Sequence, residues 1–216
     1  MKVSNLGKDN SVLNNFMAQM RDRNIQKDRM RFRKNLERIG EIFAYEISRT
    51  LRYSVKKVVT PLGIADVPTL DTPVVAATIL RAGLPLHQGI LNFLENSQSA
   101  FVAAYRKYDR GDSFHINIEY SSSPGLEGKT LILADTMLAT GASLELAYNR
   151  LCEDGKPECT HIVCPLASAD AVEHLMKNMG DDITLWVAAI DEELTSRSYI
   201  VPGLGDAGDL AYGDKI

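Results

Sequence analysis

The sequence has no apolar run that approaches the ~20 residues a helix needs to cross a bilayer. Its first ten residues are polar, so no signal peptide is evident. The 3 cysteines are odd in number and lack Cys-x-x-Cys spacing, which argues against both a disulfide framework and a zinc site. Positively charged residues are also in the minority: the chain has 24 Lys and Arg residues and 28 Asp and Glu residues. The net charge of −4 favours neither nucleic acid nor an anionic membrane as a partner, and we expect a cytoplasmic protein.

What the sequence does contain is a regular alternation of strand and helix patterns. At 216 residues the chain fits one domain, residues 1–216, and no linker or internal repeat divides it. From residue 73 to residue 190, continuous apolar runs typical of strands covered on both faces alternate with helical patterns. This order predicts an α/β fold in which helices flank a parallel sheet wound by right-handed crossovers.

The first 52 residues follow a different pattern. Residues 1–10 are predicted to be a frayed terminus, followed by two amphipathic helices. Their apolar positions at helical spacing are Leu13, Phe16, Met17 and Met20 in the first helix, and Leu36, Ile39, Phe43, Ile47 and Leu51 in the second. We expect this N-terminal helical segment, residues 1–52, to serve an oligomer interface.

A basic run joins the two helices, with seven positively charged residues between positions 21 and 34. One interpretation is a solvated connector, some of whose charges meet a neighbouring subunit. The other is a patch that binds RNA or a nucleotide effector such as GTP. The sequence leaves both open.

The most informative stretch runs from residue 131 to residue 143. A buried strand is followed by Asp135, by a turn of small and hydroxyl residues, and by a helix. The first amides of that helix have no intrahelical partner and the helix dipole adds positive charge, so the turn suits a phosphate. Thr140 and Ser143 add hydroxyl donors, Gly141 admits close approach of the backbone, and Asp135 suits sugar hydroxyls or a hydrated cation. The alternative is an ordinary strand–helix turn with Asp135 or Ser143 as the helix cap.

One arginine follows a buried strand. Arg81 stands directly after the apolar run of residues 73–80. The rim beyond the carboxyl ends of parallel strands is where α/β proteins bind ligands. A guanidinium fork suits pyrophosphate oxygens there, while pairing of Arg81 with a local carboxylate is an equal alternative.

The C-terminal stretch, residues 199–209, combines glycines at positions 203, 205 and 208 with one proline and two aspartates. This composition indicates a backbone held in a fixed irregular path, since bulky Ile200, Val201 and Leu204 are unusual in a plain surface loop. Main-chain N–H and C=O groups of such a loop match the alternating acceptors and donor on the edge of uracil. A plain surface loop near the terminus is the alternative.

Three motifs together resemble the uracil phosphoribosyltransferase family, a group of type I phosphoribosyltransferases. They are Ile79–Leu84, Asp135–Ser143 and Tyr199–Asp209, in the family's order. The resemblance implies a phosphoribosyl pyrophosphate (PRPP) site, a uracil site and a catalytic set of Arg81, Arg106 and Asp206. The PRPP contacts that it implies are Arg81, Arg106, Asp135, Thr136, Met137, Leu138, Ala139, Thr140, Gly141, Ala142, Ser143 and Asp206. The uracil contacts that it implies are Ile200, Gly205, Asp206 and Ala207.

The same resemblance implies an architecture and a reaction. Residues 107–123 would form a flap, or β-arm, over the site, and residues 196–213 a uracil-binding hood loop. Magnesium, held mainly by PRPP and water with Asp206 as a candidate contact, would assist conversion of uracil and PRPP to UMP and pyrophosphate. We expect a homo-oligomer, a dimer or a tetramer. The alternative function is an RNA-binding regulator of pyrimidine genes with the same fold.

The chain departs from the family pattern at four positions. Thr136 and Ala142 stand where the family commonly has proline and glycine, and Pro85 and Ser198 stand where it usually has glycine. Because alanine tolerates a positive φ poorly, we expect the amides around Ala142 to serve the phosphate from a less permissive backbone.

Overall fold

The computed structural model describes the backbone of residues 1–108 and 114–214, and the side chains of residues 1–104 and 118–214. Its helices are α1 (Val12–Arg21), α2 (Arg29–Ser48), α3 (Leu84–Phe93), α4 (Ala142–Leu151), α5 (Ala169–Asn178) and α6 (Ala207–Tyr212). Its strands are β1 (Lys2–Asn5), β2 (Tyr53–Thr60), β3 (Gly63–Leu70), β4 (Val74–Leu80), β5 (Gln98–Tyr108), β6 (Phe114–Ser122), β7 (Thr130–Ala134), β8 (Met137–Leu138), β9 (Cys159–Ser168), β10 (Ile183–Asp191), β11 (Glu193–Leu194) and β12 (Ile200–Val201). None of the helices in these described ranges is both long and apolar enough to span a membrane.

The main sheet has eight strands in the order β1-β10-β9-β7-β4-β5-β6, with β8 paired to β9. Every pair is parallel except β5 with β6, so the predicted sheet flanked by helices is confirmed. Near the carboxyl ends of the two central strands, Thr78 of β4 pairs with Ala134 of β7. The loops that follow these two strands therefore begin side by side at one edge of the sheet.

The first residues form a strand, and the expectation of a frayed terminus was wrong. Lys2 pairs with Thr184 and Asn5 pairs with Val187, so β1 extends the sheet beyond β10. A short strand at a sheet edge is held mainly by backbone hydrogen bonds, and it needs no strongly apolar face. The polar composition of these residues therefore concealed it.

Two buried layers cover the faces of the main sheet. One contains residues of α1, α2 and α3, and the other contains residues of α4 and α5. The long helix α2 contributes Phe32, Leu36, Ile39, Phe43 and Ile47 to the first layer, each at most 1% exposed. The apolar face that we expected at an oligomer interface therefore packs within the chain itself.

Helices α2 and α3 approach each other at two glycines, with no room for a methyl group. A Cβ at Gly40 would lie 2.2 Å from the carbonyl oxygen of Leu86, and a Cβ at Gly89 would lie 1.9 Å from that of Glu37. Since both obstacles are backbone atoms, no side-chain rotation relieves them.

Gly40→Ala should lower the free energy of unfolding, measured by urea denaturation, by ~1–3 kcal/mol. Gly125→Ala is the control, because no atom lies within 4 Å of its added Cβ; equal stability of the two variants would contradict this packing.

A hairpin of β2 and β3 stands outside the main sheet as a separate two-stranded sheet. Its first strand and its turn have local signals, since residues 55–60 include three valines and residues 61–63 include a proline and a glycine. The signal of its second strand is weaker, because residues 63–70 include Asp66 and Pro68, residue types that are uncommon in strands.

The segment expected to form a β-arm, residues 107–123, contains a strand. This strand, β6, pairs antiparallel with β5 from Phe101 opposite Ser122 to Tyr108 opposite Phe114. Residues 109–113, which fall inside the expected flap of residues 107–123, lie outside the described residues. The closing of this flap over a ligand stays a prediction.

Candidate active site

Asp135 stands where the central strand ends. All five residues of β7 are buried, and Asp135 follows them directly. Its amide donates to the carbonyl oxygen of Val163 (3.0 Å), and its Oδ1 accepts from the amide of Thr136 (2.7 Å). Desolvation raises the pKa of Asp135 to about 7, although hydrogen bonds from the amides of Thr136 and Met137 act in the opposite direction. A bound cation or sugar hydroxyl would favour the ionised form of this carboxyl group.

This raised pKa predicts a pH dependence of stability. The native state keeps the proton of Asp135 up to about pH 7, whereas the unfolded chain releases it near 3.8. The stability that this proton contributes is complete below the lower pKa and is lost as the pH rises through the higher one. Over that range, the free energy of unfolding of the wild type should fall by up to ~4 kcal/mol relative to that of Asp135→Asn. Urea denaturation at about pH 5 and about pH 8 samples the upper two pH units of this range, so it should record about 2.7 kcal/mol of this fall; parallel changes in the two proteins would contradict the prediction.

The turn after Asp135 is anchored to the rest of the domain. The side chains of Thr136 and Leu138 are buried, and β8 pairs with β9. Ser168 Oγ donates to the carbonyl oxygen of Ala139 (2.6 Å), which ties the turn to the N-terminus of α5. Since the side chains of Thr136 and Leu138 are buried, they are not available to a ligand. A ligand would therefore contact mainly the backbone of this segment and the half-buried residues after Leu138.

Gly141 is the N-cap residue of helix α4, with a φ of +79°, and no side chain of the described residues caps this helix. The alternative in which Asp135 or Ser143 is the cap was therefore wrong, and the first amides of α4 keep their donors for a ligand. Ala142 is the first residue of α4, and among the described residues the one non-glycine with positive φ is Ser198 (59°). The expected difficulty at Ala142 therefore does not arise, because that position takes a helical conformation.

Arg81 reaches from the rim of β4 to the C-terminal loop, by which we mean residues 196–213 including helix α6. The turn after β4 folds back over the strand ends, since a Cβ at Gly83 would lie 3.3 Å from the carbonyl oxygen of Ala134. Arg81 Nη2 donates to the carbonyl oxygen of Gly213 (3.3 Å) and lies 3.9 Å from Asp209 Oδ1. The local carboxylate that we considered as an alternative is thus present. With 44% of its side chain exposed, Arg81 also remains open to a ligand.

The C-terminal loop rests on a short hairpin and ends in α6. Pairing of β11 with β12 places Ile200 in the buried layer. Gly203 and Gly205 take φ values of +62° and +94°, which favour glycine at both positions. Asp206 Oδ1 caps α6 by accepting from the amide of Asp209 (3.0 Å), and Ala207 is buried. The other carboxylate oxygen of Asp206 makes no hydrogen bond within the described residues, so it is the more available of the two for a ligand.

The structure brings the three motifs to one region of the molecule. A Cβ at Gly83, in the Ile79–Leu84 motif, would lie 3.3 Å from the carbonyl oxygen of Ala134, the residue before the Asp135–Ser143 motif. The contacts of Arg81 link the first motif to Asp209 of the third motif and to Gly213. The side chain of Arg106 lies outside the described part of the chain, while its backbone belongs to β5, the neighbour of β4.

The sequence analysis missed the residues that hold the C-terminal loop. Arg21 and Asp191 both bind Gly203, and Arg33 Nη1 donates to the carbonyl oxygen of Ala211 (2.7 Å). The one signal available was the basic run of residues 21–34, for which we considered a connector or an effector patch. Neither interpretation included contacts with a loop so distant along the chain.

Known proteins match the sequence over nearly the whole chain. The family model described as uracil phosphoribosyltransferase matches residues 8–214. The chain belongs to the uracil phosphoribosyltransferase family. A uracil phosphoribosyltransferase of Porphyromonas gingivalis is 52% identical over 216 residues, which are 100% of each chain. Another, of Methanococcus vannielii, is 36% identical over 199 residues, or 90% of this chain and 84% of that one.

Solved structures place the chain in the same fold. A protein of Aquifex aeolicus superposes with a TM-score of 0.87 at 28% identity, over 98% of each chain. A hypoxanthine phosphoribosyltransferase of Staphylococcus aureus shares the fold more distantly, with a TM-score of 0.51 at 13% identity over 75% of this chain and 76% of that one. The type I phosphoribosyltransferase fold is thus common to uracil phosphoribosyltransferases and to an enzyme named for another base.

Proposed function

We propose that the chain transfers the phosphoribosyl group of PRPP to N1 of uracil, which yields UMP and pyrophosphate in pyrimidine salvage. The observation that carries this proposal is the contact of Arg81 with Gly213 and Asp209. This contact puts a cation suited to pyrophosphate beside a main-chain loop suited to uracil, near the edge of the sheet where β7 ends.

Each part of the site has its own task in this proposal. The turn of residues 136–143 binds the 5-phosphate through its amides and through the hydroxyls of Thr140 and Ser143. Asp135 accepts from the ribose hydroxyls. The main chain of the C-terminal loop, at Ile200 and at residues 205–207, reads the edge of uracil.

Catalysis rests on the departure of pyrophosphate. The C1–O bond breaks ahead of attack by N1 of uracil, so the sugar gains oxocarbenium character. Arg81 and Arg106 stabilise the negative charge that develops on the leaving pyrophosphate. The glycine loop orients N1 toward C1, which lowers the entropic cost of the attack. Uracil N1–H is fairly acidic, and we assign no general base.

Magnesium fits this site as an ion carried by the substrate. In the part of the chain that the structure describes, no group of three or more His, Cys, Asp or Glu residues is arranged to hold a metal ion. Its ligands would be PRPP oxygens and water, with the free oxygen of Asp206 as a further contact. The bound ion would add positive charge beside the leaving pyrophosphate.

The test is PRPP-dependent conversion of radiolabelled uracil, cytosine, orotate and hypoxanthine, measured side by side. We expect UMP to form at least tenfold faster than the product of any other base. Faster conversion of another base, or no PRPP-dependent product at all, would overturn the proposal.

An RNA-binding regulator is not favoured, because Arg21 and Arg33 are engaged inside the chain. Binding of GTP and the cytoplasmic location stay predictions.

We further propose that the chain forms a homo-oligomer through the hairpin of β2 and β3. On one face of this hairpin the cross-strand pairs are Tyr53–Leu70, Val55–Pro68, Lys57–Asp66 and Val59–Ile64, so all but one pair is apolar. Val59 is 83% exposed and Ile64 is 69% exposed. An isolated two-stranded hairpin is marginally stable in water, and an exposed apolar face is typical of an interaction site. We therefore propose that a second copy of the chain packs against this face.

A charge on this face should dissociate the oligomer. Sedimentation velocity of Val59→Asp should show a shift to the monomer at concentrations where the wild type is a dimer or tetramer. Ser54→Asp is the matched control, because Ser54 is exposed on the opposite face of the same strand. The hairpin would lose its proposed role if Val59→Asp sedimented like the wild type.

A further inference from the structure

A bidentate ion pair joins the end of α1 to the end of β10. Arg21 Nη1 and Nη2 donate to the two carboxylate oxygens of Asp191, both at 2.8 Å. The Arg21 side chain is 25% exposed and that of Asp191 is 9% exposed, so the pair is largely withdrawn from solvent. Charge-assisted pairs with this fork geometry are among the stronger hydrogen bonds in proteins.

The same two side chains bind both polar backbone groups of Gly203. Arg21 Nη1 donates to the carbonyl oxygen of Gly203 (3.1 Å), and the amide of Gly203 donates to Asp191 Oδ2 (2.9 Å). Burial raises the pKa of Asp191, but the hydrogen bonds from Arg21 and from the Gly203 amide outweigh it and hold that pKa below its usual range. Asp191 therefore stays ionised at neutral pH and keeps both contacts.

Gly203 lies within the segment that is proposed to read uracil. It stands between Ile200 on one side and Gly205 on the other, and its φ of +62° turns the chain there. A second contact of the same kind holds the end of the loop, where Arg33 donates to the carbonyl oxygen of Ala211 and its guanidinium carbon lies 5.8 Å from the Tyr212 ring centroid. The loop is thus fixed at its middle and at its end by arginines from the N-terminal segment.

We propose that Arg21 and Asp191 are positioning residues for uracil: together they hold the Gly203 peptide so that residues 200–207 present their main chain to the base. This inference rests on the proposed function. Neither residue needs to touch PRPP, and within residues 1–104 and 118–214 neither side chain makes a direct hydrogen bond to the phosphate turn of residues 136–143. Their removal should therefore weaken uracil recognition far more than PRPP binding, to which residues 200–207 are proposed to contribute only through Asp206.

The test compares the effect of each variant on KM for uracil with its effect on KM for PRPP. Arg21→Ala should raise KM for uracil at least tenfold while KM for PRPP changes less than threefold. Arg21→Lys keeps the charge but cannot make the bidentate contact, so its KM for uracil should lie between those of the wild type and Arg21→Ala. Arg23→Ala is the matched control, because Arg23 is exposed on the same segment, and it should keep wild-type values.

A double-mutant cycle and a folding control complete the experiment. If Arg21 and Asp191 act as one unit, Arg21→Ala with Asp191→Ala should raise KM for uracil no more than the worse single variant. If Arg21→Ala fails to fold by circular dichroism, Arg21→Lys decides alone, and a wild-type KM for uracil in it would overturn the inference. Equal increases in both KM values, or none, would also overturn it. A wild type without PRPP-dependent UMP formation would instead count against the proposed function.

Discussion

Arg81→Ala should lower kcat/KM for UMP formation at least tenfold, a loss of about 1.4 kcal/mol of transition-state stabilisation. The physical reason is that the guanidinium lies at the rim of the central strands, and 44% of its side chain is exposed. It can therefore exchange the carbonyl oxygen of Gly213 for the oxygens of the leaving pyrophosphate. Charge that is already in place where negative charge develops stabilises a transition state strongly, because no solvent reorganisation is needed.

Two further variants make this result specific. Arg81→Lys keeps the charge but loses the planar fork, so its kcat/KM should fall less than that of Arg81→Ala. Arg52→Ala removes another exposed arginine, which pairs with Glu158 (2.9 Å), and it should leave kcat/KM unchanged. Steady-state kinetics with both substrates varied gives the comparison. Near wild-type turnover in Arg81→Ala would remove the proposed role of this residue.

Gly203→Ala should abolish most uracil turnover, with a fall in kcat/KM for uracil of about a hundredfold or more. A Cβ at this position would lie 2.1 Å from the carbonyl oxygen of Ile200, and the φ of +62° is strained for alanine in any case. Since the obstacle is a backbone atom, the loop must move to accommodate the methyl group. A loss of about 2.7 kcal/mol of transition-state stabilisation is enough to lower kcat/KM a hundredfold. The displaced residues are those proposed to read the base.

PRPP binding provides the internal check on Gly203→Ala. Isothermal titration with PRPP should show a far smaller change than kcat/KM for uracil, because the phosphate turn lies on another segment and Asp206 is the one displaced residue that is proposed to contact PRPP. Gly205→Ala should be the milder variant, since the nearest atoms to its added Cβ are 4.0 Å away and only the backbone conformation is strained. Equal kinetics for Gly203→Ala and the wild type would mean that this loop does not hold uracil in a fixed conformation.

Some elements could be predicted well because their signals are local. The strand β7, the turn after it and α4 follow from an apolar run, small residues and a helical repeat within about 20 consecutive positions. Gly141 illustrates this, because its positive φ at the start of α4 is a property of one residue and its neighbours. Ser198, which stands where the family usually has glycine, does take a positive φ.

Other elements could not be predicted because their signals are weak or not local. The polar strand β1 is held by hydrogen bonds to β10, a strand about 180 residues further along the chain. The strand β3 contains Pro68, and its pairing depends on the turn that precedes it. The apolar face of α2 was evident in the sequence, but its partner was not, and that partner is the core of the chain.

By itself, the sequence determined the alternating strands and helices after residue 73, the turn that follows β7 and the unusual glycine loop, since each depends on side-chain periodicity or on the backbone freedom of nearby residues. Only the tertiary structure decided which of these segments meet. Arg21 and Asp191 are 170 residues apart, and no local pattern could pair them or place Gly203 between them. The physical reason is that such contacts are set by the winding of the whole sheet, which brings the ends of distant strands to one edge.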